Sequence, residues 1–138
     1  MSGISILNNC LTVGGIDTTC HKLRPYENSS SSPSTKVNKP DICAACVDIC
    51  SLNCNTNYIS ERNGRKLYPT QLIEPYTCYT GTSCSAAYIA GICALLFENN
   101  PDLTIKDIKS LFKTCSELLD MPKSIQGNGI LNLDKLLP

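Results

Sequence analysis

One hydroxyl stands in a setting suited to nucleophilic chemistry. Gly81-Thr82-Ser83 is a small, flexible turn, and the serine opens an apolar run reaching Phe97, too long for a strand. Ser83 therefore falls in the first turn of a helix, where backbone N–H groups lack intrahelical acceptors and the helix dipole favours negative charge. A hydroxyl that must become an alkoxide, beside an oxygen that must become an oxyanion, gains from that position. The other reactive side chains are ten cysteines and a single histidine. Cys43, Cys46, Cys50 and Cys54 lie close enough in sequence for a tetrahedral zinc site, for one disulfide in the loop, or for buried thiols. The Gly and His residues that tend to flank the cysteine pairs of a zinc knuckle are not there. His21, in Thr-Cys-His-Lys-Leu, reads as a partly exposed loop histidine rather than a general base.

The elements that must position Ser83 can be read from pattern. Leu11-Thr12-Val13 is β-prone and is expected to end in a turn at Gly14-Gly15. Residues 17 to 38, with a serine run from Ser29 to Ser32, have loop composition, and residues 52 to 76 are again irregular. Asn63-Gly64 suits a hairpin tip, because Asn-Gly supplies positive φ at little cost. Tyr76 and Tyr79 precede the serine turn as packing residues or as the wall of a groove. The helix from Ser83 to Asn99 is apolar nearly all round, which predicts burial on every face. Its small residues, Ala86, Ala87, Ala90, Gly91 and Ala94, would let neighbouring backbones come close. Thr104 with Asp107 three positions on marks the cap of a second helix. Ile105, Ile108, Leu111, Phe112 and Cys115 recur along one face of it, and Lys106, Lys109 and Lys113 lie on the other side. Asn132 is placed to cap a last helical turn over Asp134 to Leu137.

At 138 residues the length fits one domain, and a 42% hydrophobic content is compatible with a globular core. Twelve basic residues balance twelve acidic ones, so nothing suggests a nucleic-acid partner. No apolar run approaches the roughly 20 residues that span a bilayer. The N-terminal residues lack the basic and apolar regions of a signal peptide. An even cysteine count would suit an oxidising compartment, but the chain is larger than typical disulfide scaffolds, so the compartment stays open.

Four blocks of the chain resemble the subtilisin-like serine peptidases, the subtilases. Gly81, Thr82, Ser83, Ala90 and Gly91 match the serine box Gly-Thr-Ser-Met-Ala-x-Pro-x-Val-Ala-Gly, with Ile89 for Val and with Cys84, Ser85 and Ala87 departing from it. Lys39, Pro40, Asp41, Ile42, Ala44 and Ile49 match Lys-Pro-Asp-Ile-x-Ala-Pro-Gly-x-x-Ile, where Ala45 and Cys46 replace Pro-Gly. If that turn needs a positive φ at position 46, cysteine is strained there. Asn9 to Gly15 resembles the family's Asn-Val-Ile-Thr-Val-Gly-Ala strand, and Gln126 to Asn132 its closing Gly-x-Gly-x-x-Asn.

The resemblance implies an α/β fold: an incomplete subtilisin-like three-layer arrangement with part of a parallel sheet and a buried central helix starting at Ser83. Residues 1 to 138 would then be the C-terminal part of a peptidase domain. It implies a serine endopeptidase in which Ser83 is the nucleophile, Gly81 and Thr82 form the supporting turn, and the Ser83 N–H is one oxyanion donor. The family's Asp, His and oxyanion Asn lie upstream of the first matching block, and Asp17, Asp41 and Asp48 sit in other contexts. The expected partners are a peptide or protein substrate and an N-terminal peptidase segment carrying Asp and His; no cofactor is implied. The chain alone is expected to be inactive, and an extracytoplasmic or secreted location is what the family suggests. A non-catalytic pseudopeptidase, or a Cys-rich metal-binding module, is the alternative.

Overall fold

In a computed structural model, residues 1–32, 38–53, 61–62, 65–66 and 76–137 are described, with only the backbone pairing of 61–62 and 65–66. After a 3-10 turn at Gly3–Ile6, strand β1 (Val13–Asp17) is followed by the short β2 (Arg24–Pro25), β3 (Ile42–Ala45) and β4 (Ile49–Leu52). Then come β5 (Glu61–Arg62), β6 (Arg65–Lys66) and β7 (Tyr76–Tyr79), and two helices, α1 (Thr82–Asn99) and α2 (Ile105–Thr114). The chain closes with β8 (Ser116–Glu117), α3 (Lys123–Gln126), β9 (Ile130–Leu131) and α4 (Leu133–Leu136).

The central sheet has the order β2-β1-β3. β1 and β3 run parallel, with Val13 opposite Ile42 and Ile16 opposite Ala45, and β2 is antiparallel to β1. A parallel pair buried on both faces calls for small or apolar residues throughout, and the paired residues, Val13 to Ile16 and Ile42 to Ala45, are of that kind. Helix α1 packs across this pair. Ile42, Ala44, Ile89, Ile92, Leu96, Ile108, Phe112, Cys115 and Leu136 form the common core, so the sheet, α1, α2 and α4 close on one another. A second ladder, β4 against β7, stands off this core with mostly exposed residues on β4. β5 and β6 pair antiparallel with Arg62 opposite Arg65, while Asn63 and Gly64, where the hairpin tip is expected, lie outside the described residues.

The expected turn at Gly14-Gly15 is instead the middle of β1. The glycines meet a need imposed from elsewhere in the chain: a Cβ on Gly15 would stand 2.6 Å from the Cys46 Sγ, and one on Gly14 3.0 Å from the Pro40 ring. Cys46 does not take the left-handed conformation either. Among the described residues the one non-glycine with positive φ is Asp48, at 54°, a residue type that tolerates that region. The left-handed residue between β3 and β4 is thus Asp48, two positions after Cys46.

Burial of α1 on every face is also corrected. Ser85, Ile89, Ile92 and Leu96 are buried against the sheet. The opposite face is open: Tyr88 is 52% and Leu95 48% exposed, and Ala87, Gly91 and Ala94 lie on the surface. No element among the described residues covers it. The all-round apolar composition therefore does not become all-round burial. No helix among the described residues is long and apolar enough to cross a membrane.

Helix α2 follows its sequence pattern closely. Thr104 and Asp107 form a reciprocal capping box, each side chain bonding the other's backbone N–H. Ile108 and Phe112 face the core, whereas Ile105 is left exposed. Asn132 caps α4 by accepting from the Lys135 N–H at 3.1 Å.

Candidate active site

Ser83 is the second residue of α1 and its side chain is exposed. Gly81 occupies the N-cap position and contributes no side-chain cap. The turn is held by its backbone. The Gly81 N–H donates to the Cys46 carbonyl at 2.8 Å, and the Gly81 carbonyl accepts from the Cys84 N–H at 3.0 Å. Just inside the helix, the Ser85 hydroxyl lies 2.9 Å from the Ala44 carbonyl and 3.1 Å from that of Ala45. On the other side of the turn, Thr80 Oγ1 accepts from the Asp48 N–H at 3.0 Å and lies 3.3 Å from its carboxylate. The residues just before and just after Ser83 are therefore fastened to one stretch, the end of β3 and the turn after it. This leaves the Ser83 hydroxyl little freedom except its own rotamer.

Gly81 is the N-cap of α1 and Thr82 its first residue, and both are half-buried. The fastening residues Ser85, Thr80 and Asp48 were not singled out for this by pattern. Ser85 had a signal, being a hydroxyl inside an apolar helical run at a position where the serine box carries alanine. A side chain with a polar atom and no exposure must find an acceptor, and Ser85 is fully buried.

Cys46 and Cys43, at the end of β3 and within it, are packing groups. Cys46 is buried, with its thiol 3.4 Å from the Ile16 carbonyl. Burial pushes that thiol up to about 11, aided by Cys84 and Asp17 and partly offset by the Ser85 hydroxyl. Cys43 lies in β3 with its thiol 3.2 Å from the Gly129 carbonyl, and burial drives it up to about 12. Such thiols stay protonated and unreactive near neutral pH. Cys50 is exposed on β4, and Cys54 lies outside the described residues. Among the described residues no three His, Cys, Asp or Glu side chains converge closely enough to hold a metal ion.

The carboxylates near the sheet are committed to other partners. Asp41 accepts from the Thr12 N–H at 2.7 Å, pairs with Lys39 at 2.6 Å and meets Lys109 at 3.1 Å. Lys39 is itself only 3% exposed and also donates to the Cys10 carbonyl. Asp17 is held below the usual carboxylate range by the Thr19 hydroxyl and N–H, with Arg24 2.9 Å away. His21 is exposed, between β1 and β2. Among the described residues no side chain hydrogen-bonds the Ser83 hydroxyl. The arrangement presents a hydroxyl at a helix N-terminus, and a hydroxyl acts as a nucleophile near neutral pH only with a base beside it.

The sequence profile of the subtilase family matches residues 5–129. Serine protease AprX of Bacillus subtilis (strain 168) is 35% identical over 101 residues, which cover 72% of this chain and 22% of that protein. Subtilisin-like protease SBT1.9 of Arabidopsis thaliana is 32% identical over 112 residues, 79% of this chain and 14% of the relative. The chain thus spans less than a quarter of either. In fold it is similar to fervidolysin from Fervidobacterium pennivorans, a keratinolytic enzyme related to subtilisin, with a TM-score of 0.74 and 21% identity over 97% of this chain and 20% of that one.

Proposed function

The chain belongs to the subtilase family, and from that membership we propose that it supplies the nucleophile, Ser83, of a serine endopeptidase. In this reading residues 1 to 138 are the C-terminal part of a peptidase domain. The observation that carries it is the fastening of the Ser83 turn: an exposed hydroxyl on the first turn of α1, with Gly81 bonded to Cys46 behind it and Ser85 bonded to Ala44 ahead of it. A catalytic hydroxyl needs such a fixed position, because misplacement by about 1 Å costs on the order of a hundredfold in rate.

The chemistry follows from the position. A base takes the Ser83 proton, Oγ attacks the scissile carbonyl, and an acyl-enzyme forms as the amine leaves. The Ser83 N–H, in the first turn, has no acceptor within the helix and is free to donate to the oxyanion. The Asp and His come from a preceding peptidase segment. The open apolar face of α1, with Tyr88, Leu95 and the small residues between them, supports a second body of protein packing there. Substrates are peptides or proteins, no cofactor takes part, and the balanced charge gives no reason to invoke nucleic acid.

The test is complementation. Co-expression with a subtilase segment that carries the Asp-Thr/Ser-Gly and Gly-x-His boxes yields hydrolysis of a chromogenic peptide, and Ser83→Ala lowers it by several orders of magnitude. A pseudopeptidase is the second reading, favoured by the lack of any base bonded to Ser83 among the described residues. A stable complex with no turnover would establish that reading instead.

A further inference from the structure

Cys50 and Cys78 face each other directly across the β4·β7 ladder, as register partners in an antiparallel pair. Residues directly opposite in such a ladder have Cα atoms about 4.5 or 5.5 Å apart, depending on the hydrogen-bonding class of the pair. Both values fall inside the roughly 4.4–6.8 Å that a disulfide spans. Their side chains also emerge on the same face. Both residues are thiols in this structure, Cys50 exposed and Cys78 half-buried. We propose that Cys50 and Cys78 are a redox-active pair that closes into a cross-strand disulfide by exchange with a low-molecular-weight disulfide such as glutathione disulfide.

The exchange has a defined order. Burial holds the Cys78 thiol above its ordinary value, reinforced by Asp48 and by Cys50 itself. Exposed Cys50 is therefore the first to react. Its thiolate attacks one sulfur of the small disulfide, expels one thiolate and forms a mixed disulfide. The Cys78 thiolate then attacks the Cys50 sulfur and expels the second. The two protons lost by the cysteines end on the two small thiols released, so the pair is oxidised by two electrons and the small disulfide reduced by two. Among the described residues no other two cysteines are register partners in a ladder. Cys43, Cys46 and Cys115 are buried. Cys20 is exposed in the β1–β2 connection, beside Arg24, with no cysteine opposite.

The bond would clasp the strand that runs straight into the Ser83 turn. β7 ends at Tyr79, and Thr80 is already bonded to Asp48, so a Cys50–Cys78 bond adds a covalent tie to the same junction. A role in setting the Ser83 turn rests on the peptidase reading; the bond itself does not.

The chain is incubated in a glutathione redox buffer, quenched in acid, alkylated and mapped by mass spectrometry without reduction. A Cys50–Cys78 linked peptide, two hydrogens lighter than its parts, is expected as the predominant bond, with Cys20 found only as a glutathione adduct. Cys78→Ser leaves Cys50 as a glutathione adduct, and Cys54→Ser leaves the Cys50–Cys78 yield unchanged. In concentrated urea the yield falls to what chance allows among the ten cysteines. Predominance of Cys50–Cys54, Cys43–Cys46 or Cys46–Cys84 in the native chain overturns the proposal, as does finding Cys50 and Cys78 only as separate adducts. Mapping reads no activity, so its failure leaves the peptidase reading intact, and an unreactive Ser83 leaves the clasp intact.

Discussion

The Ser85 hydroxyl sits 2.9 Å from the Ala44 carbonyl oxygen, joining the first turn of α1 to the last residues of β3 across a sequence separation of 41. Ser85 lies two positions beyond Ser83, so the bond fixes where the helix starts relative to the sheet. Replacing Ser85 by alanine leaves the Ala44 and Ala45 carbonyls to share the loss, a buried-acceptor cost of about 1–2 kcal/mol. Chemical denaturation should show a lower midpoint with an unchanged slope. An unchanged midpoint would mean the bond contributes nothing.

The buried thiols make stability sensitive to alkali. Cys43 and Cys46 are raised in the folded chain to about 12 and about 11 from an ordinary 9.0. Groups raised in this way contribute stability that is fully present below the ordinary value and is lost as pH rises through the folded ones. Circular dichroism between about pH 8 and about pH 12 should therefore show stability falling from about pH 9 upward. At neutral pH, iodoacetamide should modify Cys20 and Cys50 well before Cys43 and Cys46.

Asp41 holds two lysines, and the deeper one, Lys39, has almost no exposure. Asp41→Asn removes the countercharge and leaves a buried ammonium with an amide, which should cost about 3 kcal/mol. Lys109→Ala, at the rim of the same cluster, should cost clearly less. Thermal melts of the two variants would rank them, and the reverse order would show that Lys39 is not held by Asp41.

The capping box of α2 offers a local test. Thr104→Ala should destabilise by about 1 kcal/mol. The Asp107 carboxyl is lowered by the Thr104 hydroxyl first and then by its N–H. Its contribution is present above the ordinary 3.8 and disappears as pH falls through the lower folded value. The gap between parent and variant should therefore narrow below about pH 4. A gap independent of pH would assign the cap to the hydroxyl alone.

What could be read from the chain divides by distance along it. Thr104 with Asp107, and Asn132 with Lys135, pair residues three apart, and both caps were legible because a short polar side chain can reach only its own first turn. The Ser83 helix was legible too, since its length alone excluded a strand. Gly14 and Gly15 were misread as a turn because the demand for glycine comes from Pro40 and Cys46, some thirty residues away. Helix α1 was read as buried all round because composition records which faces are apolar, not which of them other elements cover. Lys109, assigned to the polar side of α2, reaches Asp41 on the edge of β3, a contact no periodicity could announce.

In the proposed peptidase reading Ser83 has the position of a nucleophile and depends on a base brought by another segment. A fluorophosphonate probe, which labels only an activated serine, tests it most directly. No labelling of the chain by itself is expected, labelling at Ser83 is expected once the segment carrying Asp and His is supplied, and none in Ser83→Ala with the same segment. Labelling of Ser83 in the chain alone, or a completed complex that folds and still leaves Ser83 unmodified, would contradict it.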